Sequence, residues 1–244
     1  MRPKGPDVLQ FAMQPIPAIL EVAKQVPDTL PALGNWRAAY REVAQHDLDF
    51  SKTPPRPTAK LAGIWTFEVR RATDRLKLAV TRRLDVWPGD PELRIEADCQ
   101  ADGLGNLLSW TCRFRRTRRG PAYLDFATEE HGTHRNGILQ TRANGNSLSR
   151  ELGSPLFALP CLLARLPFLT VADLPKEPFV FSEELALMHP DCRLRASTSR
   201  RGWLLTGMGL MPTEFVGKSG DAIRMVCFGR QRALLLDKVE EVQR

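Results

Sequence analysis

Four consecutive runs between Leu61 and Arg116 alternate apolar and charged residues, and that alternation limits the fold more than any other feature of the chain. They span Leu61–Arg71, Arg75–Trp87, Glu92–Gln100 and Asn106–Arg116. Trp65, Phe67 and Val69 share one parity. Leu76, Leu78 and Val80 continue it, followed by Leu93, Ile95, Ala97 and Cys99, and then by Leu108, Trp110, Cys112 and Phe114. The other parity carries Glu68, Arg70, Lys77, Arg83, Arg94, Glu96, Asp98, Arg113 and Arg115. A period of two with one apolar side is that of a half-buried antiparallel strand. The connections agree: Ala72-Thr73-Asp74, Pro88-Gly89-Asp90-Pro91 and Asp102-Gly103-Leu104-Gly105 are all turn sequences. Short connections in series describe a meander.

Further strands follow at Ala122–Thr128 and Asn136–Ala143, with Asn144-Gly145-Asn146 as a turn. Later come Phe179–Phe181, a hairpin around Ala196–Ser199 returning through Trp203–Thr206, and a closing hairpin from Thr213–Val216 to Ile223–Phe228. Leu185–Met188 reads as a short turn or strand, followed by His189-Pro190-Asp191, and Ala233–Val242 as a last strand or short helix. Glycines and Pro212 between Gly207 and Pro212 mark a bend, since no third glycine or following helix completes a dinucleotide fingerprint.

Two regions read as helical. Near the start, Trp36, Ala39, Tyr40 and Val43 share a helical face, so a helix is expected over Asn35–His46, and a shorter one over Ala18–Val26. Ser51–Thr58 is a stiff proline-rich connector. Beyond the meander, Leu156, Phe157, Leu159, Leu162, Leu163, Leu166 and Phe168 are apolar on most sides of a helix. Ser154 would cap it, Pro155 would begin it and Pro160 would kink it. Such a helix is buried, and the exposed apolar side of the sheet is where it would lie. The expected fold is therefore mainly β (α+β): a curved antiparallel meander forming a half-barrel, with an N-terminal helical segment and an apolar helix over the concave face. The division is an N-terminal helical and proline-rich segment over residues 1–58 and one β domain over 59–244, with a helical insertion around 154–169.

Composition narrows the function classes. The chain has 244 residues, 43% hydrophobic and 26% charged, which is globular. No run reaches eighteen apolar residues, so no transmembrane helix is expected. Broken apolar residues with Pro15 and Pro17 follow the charged start, so no secretory leader is read. The compartment is periplasmic or otherwise extracytoplasmic if a leader has been removed, and cytoplasmic if not. Net charge is +7, with 27 Arg against 8 Lys. Many of these Arg share the wet parity with Glu and Asp, where cross-strand ion pairs form. Arg113–Arg119 is the densest basic run and reads as a strand end reaching into solvent. A nucleic-acid surface would need exposed aromatics beside it, and here they face inward, which disfavours that partner.

No catalytic set emerges. The nucleophile-elbow and phosphate-loop patterns are absent, and paired glutamates sit in solvated contexts. Glu129–His134 holds two histidines and two carboxylates, but their spacing does not match a helical zinc motif, so it reads as a polar hairpin tip. The five cysteines include no C-x-x-C, and Cys99 and Cys112 read as small buried hydrophobes. Neither metal nor cofactor is expected.

The layout resembles the LolA/LppX group of bacterial lipoprotein carriers. The resemblance rests on the Leu61–Arg116 meander, the apolar Ser154–Phe168 segment and an ending of Leu210-Met211-Pro212, Phe215-Val216, Gly220 and Ile223–Phe228. It covers residues 60–235 in pattern, without diagnostic motifs, and implies a half-barrel open to an apolar ligand. The expected function is thus non-enzymatic binding of a hydrophobic or lipid-like molecule on the concave face. Trp65, Phe67, Leu78, Trp110, Phe114, Leu162 and Leu166 would line the site, with Arg82 and Arg116 meeting an anionic head group. The alternative is an Arg-rich structural or interaction subunit with a filled core, docking on an acidic protein partner.

Overall fold

The computed structural model describes residues 35–44, 48–49, 56–57, 63–83, 92–116, 126–183, 185, 187–197, 202–208, 212–217, 219–228 and 232–242. In chain order the strands are β1 (Trp36–Ala44), β2 (Leu48–Asp49), β3 (Arg56–Pro57), β4 (Gly63–Arg71), β5 (Arg75–Arg83), β6 (Glu92–Gln100), β7 (Leu107–Arg116), β8 (Phe126–Arg135), β9 (Ile138–Ala143) and β10 (Asn146–Glu151). After them come β11 (Leu156–Ala158), the helix α1 (Leu159–Arg165) with a 3-10 turn at Leu166–Phe168, β12 (Phe179–Ser182), β13 (Met188–Ala196), β14 (Gly202–Thr206), β15 (Thr213–Val216), β16 (Met225–Phe228) and β17 (Arg232–Glu241).

Fifteen of these strands form one sheet in the order β10-β9-β8-β7-β6-β5-β4-β1-β17-β16-β15-β14-β13-β12-β11. Pairing is antiparallel except between β11 and β12. The four founding strands lie where the alternation put them, and their inward residues from Trp65 to Cys99, with Trp110, are buried in one core, while Cys112 and Phe114 are only partly buried against it. Outward pairs match as well: Arg37 faces Glu68 directly and hydrogen-bonds it at 3.0 Å, and Arg113 faces Glu129 at 3.1 Å.

The sheet is two meanders joined by β1. One runs from β4 to β10, the other from β12 to β17, and β1 pairs with β4 on one side and β17 on the other. The outermost strands, β10 and β11, are separated in the chain by only residues 152–155. Five residue steps reach at most about 18 Å, so the two ends of the sheet must curl toward each other. The link is also pinned: Leu156 N–H donates to Asn106 Oδ1 at 2.9 Å and Val180 N–H to the Pro155 carbonyl at 3.0 Å. A mainly β, barrel-like wall results, with α1 inside it.

Several local expectations change. The helix expected over Asn35–His46 is strand β1, in which Trp36, Ala38, Tyr40 and Glu42 are buried at a period of two. Its alanines, arginines and glutamates favour helix weakly, and ladder bonds to strands on both sides outweigh that preference. The expected helix over Ala18–Val26 lies outside the described residues, as do most of the proline connector, Trp87, Thr117–Arg119 and Arg200–Arg201.

The strand expected at Ala122–Thr128 runs on past its expected end: β8 carries straight through Glu129–His134, so this is no hairpin tip, and residues 122–125 lie outside the described residues. The reversal comes instead at Asn136-Gly137, with φ of 51° and 74°, and again at Asn144-Gly145, with 49° and 83°. Both are two-residue turns whose left-handed backbone suits Asn-Gly. His189-Pro190-Asp191 lies within β13. In β7 a bulge opposite Cys99 buries Leu107, leaving Leu108 half-buried.

The apolar segment begins as extended β11, held by pairing with Val180, Phe181 and Ser182, so Ser154 does not cap a helix. α1 begins at Leu159, and Pro160 sits in its first turn without kinking it. Leu159, Cys161, Leu162, Leu163 and Ala164 are all buried. Two bonds fasten the end of the helix. Arg165 Nε donates to the Gly103 carbonyl at 2.9 Å, and Gly220 N–H donates to the Pro167 carbonyl at 2.7 Å, one from each meander.

Candidate functional site

The inner face has two chemically different ends. At one end, strand alternation directs Glu42, Trp65, Arg82 and Arg232 to the same side of β1, β4, β5 and β17. Glu42 is 3% exposed. It accepts from Trp65 Nε1 at 2.7 Å, from Arg82 Nε and Nη2 at 2.9 Å each, and from Arg232 Nη1 at 3.0 Å. Arg232 also pairs with Glu183. The Arg82 guanidinium lies 5.2 Å from the Trp65 ring centroid, and that of Arg232 lies 4.6 Å from Phe228. Burial pushes the Glu42 carboxyl up, but Arg82, Trp65 and Arg232 together hold it below the ordinary range.

At the opposite end, a cleft of about 490 Å³ opens between the end of α1 and the ends of β1, β4 and β5. Its floor is apolar: Trp36, Val69, Leu76, Ala164 and Leu169. Arg71, Asp102, Arg165 and Asp173 stand around it, and Phe168, 37% exposed, forms a lip. The lip is set by a capping box in which Thr170 N–H and Oγ1 both donate to Asp173 Oδ2 at 2.7 Å. Those bonds lower the Asp173 pKa. Trp36 meets Phe67 edge-on at 5.3 Å, so the floor of the cleft continues into the aromatic wall of the core.

Of the expected ligand-lining residues, Trp65, Phe67, Leu78, Trp110, Leu162 and Leu166 are brought into one core and are fully buried. Phe114 is half-buried and packs at its margin. Arg82 is directed inward but is engaged by Glu42. Arg116 is half-buried at the same end, with β6 between its strand and that of Arg82. Alternation splits the Glu129–His134 group between the two faces. On the outside, His131 Nε2 lies 2.9 Å from Glu129 and its Nδ1 3.1 Å from Thr111 Oγ1. His134 is buried on the inside, and burial lowers its pKa, opposed by a backbone contact with Leu107. Among the described residues no three His, Cys, Asp or Glu side chains gather to hold a metal ion, and no helix is long and apolar enough to cross a membrane.

On the outer face, a groove of about 790 Å³ is lined by Arg94, Arg113 and Arg115 with Glu92 and Glu129 between them. Acid and base alternate there, three arginines to two glutamates, so most but not all of the positive charge is compensated.

Two important residues escaped the sequence reading. Glu42 is legible only once Trp36–Ala44 is recognised as a strand, when a carboxylate on the inward parity becomes conspicuous. Gly132 seats Trp110: the indole lies so close over β8 that a Cβ at this position would overlap it. No sequence pattern announces that contact.

Comparison with known proteins agrees with the architecture. No protein-family model matches the chain, and no curated protein matches it. Among solved structures, the chain is similar to the beta-barrel-like protein of domain of unknown function DUF1849 from Brucella abortus, with a TM-score of 0.53 and 12% identity, over 87% of this chain and 99% of that one. At that identity the likeness concerns the fold alone, and the fold is mainly β and barrel-like.

Proposed function

We propose that this protein is a non-catalytic binding protein for a lipid-like molecule with an acyl or similarly apolar body and an anionic head group, a role like that of the LolA/LppX carriers. The cleft at the end of α1 carries this reading. Its volume of about 490 Å³ is in the range of ligand pockets. Its floor is apolar, and it runs through Trp36 and Phe67 into the core. Arg71 and Arg165 stand at the rim, where guanidinium groups suit a carboxylate or phosphate. In this proposal Phe67, Leu78, Leu162 and Leu166 are the wall behind the cleft. Trp65 and Trp110 lie farther along the core, and Phe114 stands at its margin, level with Arg82. Arg82 and Arg116 belong to the far end.

The test is native mass spectrometry of the purified chain, followed by denaturing analysis of what travels with it. A lipid released on unfolding, and reduced uptake by Phe168→Asp with unchanged circular dichroism, support the reading. A bare chain mass together with no saturable binding of a fluorescent fatty acid overturns it.

A second reading has its own support. α1 occupies the inside of the barrel with its side chains buried from Leu159 to Ala164, as a filled-core interaction subunit would require. The Arg94–Arg113–Arg115 groove would then receive an acidic segment of a partner protein, and association would weaken steeply with salt, which uptake of an apolar chain would not.

A further inference from the structure

Cys99 and Cys161 are both fully buried in the one core cluster, and their thiols are neighbours there, one at the end of β6 and the other in the first turn of α1. We propose that they are a covalent modification site: a small-molecule or protein disulfide joins them, and the new bond staples α1 to the sheet.

The placement comes from the fold. Cys99 is the last inward residue of β6, opposite the bulge in β7, and is fully buried; bulges of this kind re-aim neighbouring side chains. Cys161 is in the first turn of α1 and is also fully buried. Gly105 gives an independent bearing on the pair. A Cβ built there would lie 3.3 Å from Cys99 Sγ and 3.1 Å from Arg165 Cγ. Arg165 follows Cys161 by one helical turn on the same face of α1, so Cys99 Sγ lies close to the side of α1 that carries Cys161. The Arg165–Gly103 bond holds that face in place. Cys192, by contrast, donates its thiol to the His189 carbonyl at 3.4 Å.

The reaction is a two-step exchange. One protein thiolate attacks the donor disulfide, forming a mixed disulfide and releasing one donor thiolate. The second protein thiolate then displaces the remaining donor sulfur. Two protein thiols and one donor disulfide become one protein disulfide and two donor thiols, so both electrons and both protons pass to the donor. In the folded protein the neighbouring thiol and burial hold Cys99 protonated, against the pull of Arg165. A protonated thiol attacks slowly, so the bond forms as the chain folds or when α1 lifts. Ala164 and Arg165, which follow Cys161 on α1, line the cleft, and the bond would fix that wall. This consequence rests on the binding reading; the bond itself does not.

The full chain is unfolded, refolded in a buffer of reduced and oxidised glutathione, alkylated and mapped by mass spectrometry. The expected product is about 2 Da lighter than the reduced chain, with one peptide pair joining Cys99 to Cys161. Closing a loop of roughly sixty residues should raise its Tm by about 10 °C over the dithiothreitol-treated protein. Cys161→Ala and Cys99→Ala should each show no such redox-dependent difference. Refolded protein in which both residues alkylate, carry glutathione, or link to other cysteines overturns the proposal, whatever the outcome for lipid binding.

Discussion

Replacing Glu42 by Gln removes one charge from the buried end of the sheet and leaves the shape almost unchanged. The carboxylate is 3% exposed and accepts four hydrogen bonds from Trp65, Arg82 and Arg232. Glutamine keeps one acceptor oxygen and turns an NH2 toward a guanidinium, donor against donor. Breaking a buried ion pair by removing one partner destabilises by about 3–5 kcal/mol. The lower end applies here, because Arg232 is 24% exposed and retains Glu183. With about 3 kcal/mol lost, Tm should fall by roughly 6–12 °C for a chain of this size. Thermal and urea unfolding followed by circular dichroism give both quantities. Arg82→Met in the Glu42→Gln background should recover part of the loss, since one stranded charge is then removed. A loss under about 1 kcal/mol for Glu42→Gln would refute the premise that this carboxylate is the counter-ion of the cluster.

The same group makes a pH prediction. Its folded pKa is depressed despite burial, because Arg82, Trp65 and Arg232 favour the charged form. A depressed carboxylate stabilises the fold above its unfolded pKa of about 4.3, and that contribution is lost as pH falls through the folded value. Wild-type stability should therefore decline more steeply below about pH 4 than that of Glu42→Gln. Gly132→Ala places a methyl group in the Trp110 indole and should destabilise by about 1–3 kcal/mol; Trp110→Leu in the same chain should relieve much of that, by urea unfolding. Gly137→Val sets a β-branched residue at φ 74° in the β8–β9 turn, and at least 1–2 kcal/mol, as an order of magnitude, should be lost in the same assay. Arg165→Met removes both a rim charge and the bond to Gly103, so amide exchange in α1 should quicken while the β4–β6 amides keep their protection.

The meander was legible because each of its strands has a solvent side. Wherever one face is wet and the other dry, side-chain alternation is written directly into the chain, as in Trp65-Thr66-Phe67-Glu68-Val69. The same rule failed at β1 through coincidence: Trp36, Tyr40 and Val43 satisfy a helical stripe, while Ala38 and Ala39 are too small to break the tie between periods. β8 misled differently. Its middle, Glu129–His134, is polar on both parities, and Gly132 looks like a turn residue until the Trp110 ring is seen above it. The apolar character of Leu156–Leu169 was plain, but not that its first three residues belong to a parallel ladder with β12, since that partner is more than twenty residues away.

What the sequence alone determined was the local pattern: an antiparallel meander with an apolar inner side, a buried helix to meet it, and an outer side of paired opposite charges. Those properties depend on residues two to four apart. Only the tertiary structure decided that β1 joins two meanders into one barrel-like wall, that Arg82 faces Glu42, that the ligand-sized opening is at the end of α1, and that Cys99 meets Cys161. Each of these joins positions tens to hundreds of residues apart. Such contacts arise from the closing of the sheet, a global balance of chain entropy against burial that no short stretch of sequence encodes.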